Sequence, residues 1–118
     1  MTESKSINMV KTIVDALKDK KGEDIHVINI SNLTTIADYF VIASGNNPNQ
    51  IQALIDNVEE QMFKAGYKEV KVEGHSNSSW ILLDYDDVIV HVFSDEDRSF
   101  YDIERVWQDG VTVDTESL

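Results

Sequence analysis

"DYFVIASGNNPNQIQALIDNVEEQMFKAG", residues 38–66, decides the fold class. Its opening, 38–44, is a nearly continuous apolar run between Asp38 and Gly45, the pattern of a strand covered on both faces. Asn47 can then cap a helix, Pro48 suits the first helical position, and Gly66 ends the segment. Between them Ile51, Leu54, Ile55, Val58 and Met62 fall on one stripe, the spacing of a helix that packs on a core. The connecting "SGNNPNQ" (44–50) raises the question of a phosphate cradle, since a helix N-terminus follows a glycine. A single glycine falls well short of a glycine-rich loop, so a plain strand-to-helix turn is the preferred reading.

Working outward, residues 4–21 form an amphipathic helix, with Ile7, Val10, Val14 and Leu17 at helical spacing and Ile13 beside them. Lys18, Lys20 and Lys21 gather at its C-terminal end, where Gly22 offers the left-handed stop. "DIHVINI" (24–30) reads as a strand with Ile28 and Ile30 on one face, Ile25 and Val27 on the other. Downstream come three short strands, 67–73, 80–84 and 88–93. Ser94, followed by Asp95, Glu96 and Asp97, starts a last helix whose Phe100, Ile103 and Trp107 can face inward. Residues 109–118 have no adequate apolar face. The expected organisation is therefore one domain over 1–107 and a flexible acidic tail over 108–118. The order α-β-β-α-β-β-β-α makes this a single α/β domain, a mixed sheet of about five strands packed by helices.

Composition narrows the function. The chain has 118 residues, about one domain, and no apolar run near the roughly 18 residues needed to cross a bilayer. Its first residues, "MTESKSINMV", lack the basic and apolar regions of a signal peptide, and a cytoplasmic location is expected. With no cysteine, disulfides, Cys-zinc sites, iron–sulfur clusters and thiol catalysis are excluded. The formal charge is −12, from 22 acidic against 10 basic residues. Such a field repels phosphate backbones, so DNA binding is not expected and direct RNA binding is little or none. It would steer in a basic protein, although for charge alone the maintenance of solubility is the preferred reading. No cofactor is implied.

The chemistry-bearing stretch is "WILLDYDDVIVHVF", residues 80–93. Asp84 and Asp86 form an Asp-x-Asp pair, and in a strand residues i and i+2 point to one side and can share a divalent ion. Nucleotidyl-transfer enzymes use such a pair with a Gly-Ser turn upstream. Here the order is reversed, Ser44-Gly45, about forty residues away, and no basic loop balances a triphosphate. Asp is also common in turns because its side chain bonds local backbone. The alternation puts Trp80, Leu82 and Asp84 on one face and Ile81, Leu83 and Tyr85 on the other. If the second set enters the core, the first offers an aromatic, an aliphatic and a carboxylate outward. Trp80 is then either an interface anchor or a side chain buried under a helix, and periodicity does not choose. His91 shares a face with Ile89 and Phe93, where a lone histidine is usually structural. No Ser-His-Asp or Cys-His arrangement forms, and "HSNSS" (75–79) reads as a solvated loop.

Four blocks in order, "ADYFVIASG" (37–45), "VEG" (72–74), "WILLDYDDVIVHVF" (80–93) and "RSFYDIERVW" (98–107), resemble the ribosomal silencing factor family, also called Iojap-like or RsfS. The resemblance covers about residues 4–107. It implies a nucleotidyltransferase-like topology without the catalytic machinery, hence no enzyme. It also implies a partner, the basic large-subunit ribosomal protein uL-fourteen, at the face where the small subunit docks. The factor would block subunit joining when nutrients are short and be a homodimer when free. By position, Trp80, Leu82, Asp84 and Tyr85 match the block expected to contact that protein, and Asp87 and His91 match its second strand. Two departures stand out. Asp86 occupies a turn position where the family usually has glycine, and Asn47 stands where it often has serine. If position 86 needs a positive φ, Asp tolerates it better than most residues.

Overall fold

The computed structural model describes residues 2–31, 33, 35, 37–68, 71–73, 80–94 and 111–113; for residues 2–5, 80, 111 and 112 it describes the backbone alone. Helix α1 (Thr2–Asp19) leads into strands β1 (Glu23–Asn29) and β2 (Tyr39–Gly45), then helix α2 (Pro48–Lys64). Strands β3 (Lys71–Glu73), β4 (Trp80–Asp84), β5 (Val88–Ser94) and β6 (Val111–Val113) follow. The six strands form one sheet in the order β3-β4-β5-β2-β1-β6. β2 and β5 run parallel at its centre, and every other pairing is antiparallel.

Period-two alternation along the central strands divides the core into two layers. Tyr39, Val41 and Ala43 of β2 and Val88, Val90 and Val92 of β5 join Ile81 and Leu83 of β4 on the helix side. Met9, Val10, Ile13, Val14 and Leu17 of α1 and Ile51, Leu54, Ile55, Val58 and Met62 of α2 cover them. Phe40, Ile42, Ile89 and Phe93 form the opposite layer with Ile28 and Ile30. The apolar run of β2 is thus buried at every position, as a central strand requires. A buried amide locks the helix layer: Asn57 Nδ2 donates to the Ala16 carbonyl at 2.9 Å, fixing α2 against α1.

The helix ends follow backbone chemistry, with one correction. Asn47 caps α2 by accepting from the Gln50 N–H at 2.8 Å, and Gln50 Oε1 accepts from the Asn46 N–H at 2.6 Å. At the other end Tyr67 N–H reaches the Met62 carbonyl and Gly66 N–H that of Phe63, a Schellman closure with Gly66 at φ 89°. The Tyr67 N–H closes this helix and residues 67 and 68 belong to no strand, so the strand expected over 67–73 is described as β3 over Lys71–Glu73. α1 ends the same way, through Gly22 N–H to Leu17 and Lys21 N–H to Lys18. Lys21, at φ 61°, is its left-handed residue, and not Gly22. Gly22 is needed for space: a Cβ there would lie 3.1 Å from both the Leu17 carbonyl and Leu54 Cδ2.

The C-terminal segment also corrects the expectation of a tail without structure. Val111–Val113 pairs antiparallel with β1, Val27 opposite Val113 and Asn29 opposite Val111. Three β-branched residues satisfy backbone groups that β1 would otherwise present at a sheet edge. With this short strand the mixed sheet has six strands among the described residues. The expected last helix with Phe100, Ile103 and Trp107, the 75–79 loop, and residues 114–118 lie outside the described residues.

Candidate partner-binding site

β4, β5 and the turn between them carry the residues singled out by sequence. The hairpin is closed by the Tyr85 N–H to the Val88 carbonyl at 2.9 Å. Asp87 N–H also reaches the Tyr85 carbonyl at 2.9 Å, across Asp86 at φ 73°. That is a γ-turn of the positive-φ kind, a conformation L-residues adopt at a cost. Asp84 supports it: its Oδ1 accepts the Asp86 N–H at 2.8 Å. The turn is fastened to the sheet by the Asp87 carbonyl, which accepts from Asp38 N–H at 2.8 Å and Tyr39 N–H at 3.3 Å. Asp38 in turn accepts from the Ser6 hydroxyl of α1 at 2.7 Å.

This geometry changes the meaning of the Asp-x-Asp pair. The strand ends at Asp84, so the same-side rule that would pair Asp84 with Asp86 does not reach Asp86. One Asp84 oxygen is engaged with the turn backbone, the local role that makes Asp frequent in turns. Among the described residues, no three His, Asp or Glu side chains come together to hold a metal ion. The "SGNNPNQ" turn is likewise occupied by its own capping bonds, from Asn46 N–H to Gln50 and from Gln50 N–H to Asn47.

Because Asp86 sits at φ 73°, Asp86→Gly is expected to raise stability by up to about 1 kcal/mol, seen as a higher urea midpoint at unchanged slope. Asp86→Val should lower it by at least as much. Equal midpoints for both variants would mean that the turn carries no left-handed strain.

The structure brings some of the sequence-selected residues together and separates others. Leu82 and Asp84 share one face of β4 and are half-buried, Leu82 packing on the layer opposite the helices. Asp87 is half-buried on the turn beside them. The backbone of Trp80 is on the same strand, in register with Phe93; its side chain lies outside the described residues. Tyr85 points the other way, into the helix-side layer, and is 3% exposed. His91 is opposite Leu82 in register and is also 3% exposed. Its ring stands edge-on to Phe40 at 4.6 Å between centroids and lies nearly parallel to that of Phe93 at 6.3 Å. Burial pushes the His91 imidazole down from 6.5 to about 4, so it is neutral at physiological pH. Tyr85 thus belongs to the helix-side core, and His91 is a buried cross-strand neighbour of Leu82 on the same face of the sheet. Alternation groups Tyr85 with Ile81 and Leu83, and burial shows that this set faces the core.

At the edge of the sheet, Lys71 of β3 faces Asp84 in register. Its ammonium lies 2.7 Å from Glu73, and that hydrogen bond first, then the charges of Glu73 and Asp84, raise the lysine above its usual value.

Comparison with known proteins places this hairpin in a family. The sequence profile described as "Ribosomal silencing factor during starvation" matches residues 3–118. The chain is 34% identical over 110 residues to the ribosomal silencing factor RsfS of Halalkalibacterium halodurans, covering 93% of this chain and 94% of that one. It is 36% identical to the RsfS of Bacillus subtilis, covering 91% of each. The crystal structure of a protein from Chromobacterium violaceum superposes with a TM-score of 0.83 at 37% identity, covering 86% of this chain and 84% of that one. The chain belongs to the ribosomal silencing factor family.

Proposed function

We propose that this protein binds the large ribosomal subunit through the basic ribosomal protein uL-fourteen and sterically prevents the small subunit from joining when nutrients are short. The family's description as a silencing factor during starvation supports the physiological part. The observation that carries the molecular part is the β4–β5 hairpin, where Leu82 and Asp84 share a face beside the turn that holds Asp86 and Asp87. A chain of net charge −12 is steered toward a cationic partner, and the carboxylates fix its register. Trp80, Leu82, Asp84 and Asp87 supply the contact. Tyr85 and His91 act from within the fold, one holding the turn to the helix layer and the other packing beside Leu82 on the neighbouring strand. The mechanism needs no bond-making residue, cofactor or metal: occupying about 1,600 Å² in total is enough for a stable, excluding interface.

The free factor is a cytoplasmic homodimer in this reading. The partner site is tested by equilibrium binding to purified large subunits. Trp80→Ala is expected to weaken binding by about 2 kcal/mol, as anchor truncations do, and Asp84→Lys to weaken it while flattening its salt dependence. Wild-type affinity in both folded variants would remove this hairpin from the interface.

A further inference from the structure

Glu59, Phe63, Tyr67, Lys68 and Tyr85 line a notch of about 280 Å³ where the C-terminal half of α2 meets the β4–β5 turn. Two of its features do nothing for folding. Phe63 is 82% exposed, although the other large apolar residues of α2 are buried. Glu59 keeps a partly desolvated carboxyl, raised above its ordinary range by burial first and by Asp56 second. Among the described residues Glu59 forms no ion pair; the neighbouring Glu60 holds Lys64 at 3.4 Å.

We propose that this notch receives one lysine or arginine side chain of the basic ribosomal protein that meets Asp84 and Asp87; the inference rests on that partner reading. A cationic head satisfies Glu59, and its long apolar stem packs against Phe63 and Tyr67. The small volume suits a single extended side chain. Tyr85 lines the notch and is adjacent in sequence to the acidic turn, so the notch and Asp86 and Asp87 are neighbours at the turn end of the hairpin.

The test measures binding to purified large ribosomal subunits over a salt series. Its variants are Phe63→Ser, Glu59→Gln and, for the hairpin face, the double variant Leu82→Ala with Asp84→Asn, each checked by circular dichroism. Phe63→Ser and Glu59→Gln should each weaken binding about fivefold or more. Glu59→Gln should also reduce the salt dependence, and Phe63→Ser should leave it unchanged. Wild-type affinity in these two, with the hairpin variant weakened, overturns the notch and leaves the hairpin site standing. Wild-type affinity in all three overturns both. If Phe63→Ser changes only the sedimenting mass of the free protein, the occupant is a second copy and the inference falls.

Discussion

Replacing His91 by phenylalanine is expected to remove about 3 kcal/mol of acid-induced destabilisation between pH 6.5 and pH 4. The folded-state imidazole titrates near 4 because it is buried among Phe40, Phe93 and Leu82, whereas in the unfolded chain it titrates near 6.5. Above pH 6.5 neither state carries the proton, so the residue contributes no pH dependence. As pH falls through the window, the unfolded chain takes a proton that the fold refuses, and stability drops. Below about 4 both states are protonated and the effect levels off. The carboxylates of this acidic chain titrate in part of the same range, so the informative quantity is the difference between wild type and His91→Phe. Phenylalanine suits the site because two aromatic neighbours already flank it. Urea unfolding at pH 7 and pH 4.5 measures it. Curves that separate progressively on acidification are expected, and parallel pH profiles would mean that His91 is solvated.

The second large effect is at Gly45. A Cβ there would lie 2.8 Å from Ile51 Cγ1 and 3.3 Å from the Ile51 backbone nitrogen, so the first turn of α2 packs directly on the end of β2. Gly45→Val adds a branched side chain where even one carbon forces a shift. About 3 kcal/mol of destabilisation is expected, the upper part of the usual overpacking range. The change in urea midpoint checks this, with Ser44→Ala as a neighbouring substitution that adds no volume. A near-neutral Gly45→Val would show that α2 can move off the strand freely.

Much of this architecture was legible because local and tertiary signals agreed. Asn47, Pro48 and Gly66 punctuate α2 where they should, and the stripe from Ile51 to Met62 is the face that meets the sheet. Strand β2 reads as covered on both faces and is buried at every position; β5, read only as a short strand, is buried along nearly its whole length as well. The misses share a physical cause, dependence on a partner distant in the chain. β6 is three residues whose only strand signal is Val-Thr-Val, and it exists through pairing with β1. At the end of α1, glycine was the natural left-handed residue, but packing against Leu17 and Leu54 holds Gly22 one position further on and gives Lys21 the positive φ. Asn57 reads as one more polar residue on a helix until α1 puts the Ala16 carbonyl within reach of its amide.

The same distinction applies to the hairpin. Alternation separated Leu82 and Asp84 from Ile81 and Leu83, and the positive φ at Asp86 explains why an Asp-x-Asp pair here is turn chemistry. The family resemblance groups Tyr85 and His91 with the contact residues because it follows chain order; both are buried, Tyr85 in the helix-side layer and His91 beside Leu82.

The central claim is steric exclusion, and subunit joining tests it most directly. Purified protein is mixed with separated large and small ribosomal subunits under joining conditions and resolved on a sucrose gradient. The account predicts that saturating protein moves the profile from intact ribosomes to free subunits, cosediments with the large subunit alone, and loses this effect in the variant Leu82→Ala with Asp84→Asn. Joining that proceeds unchanged at saturating protein would contradict it.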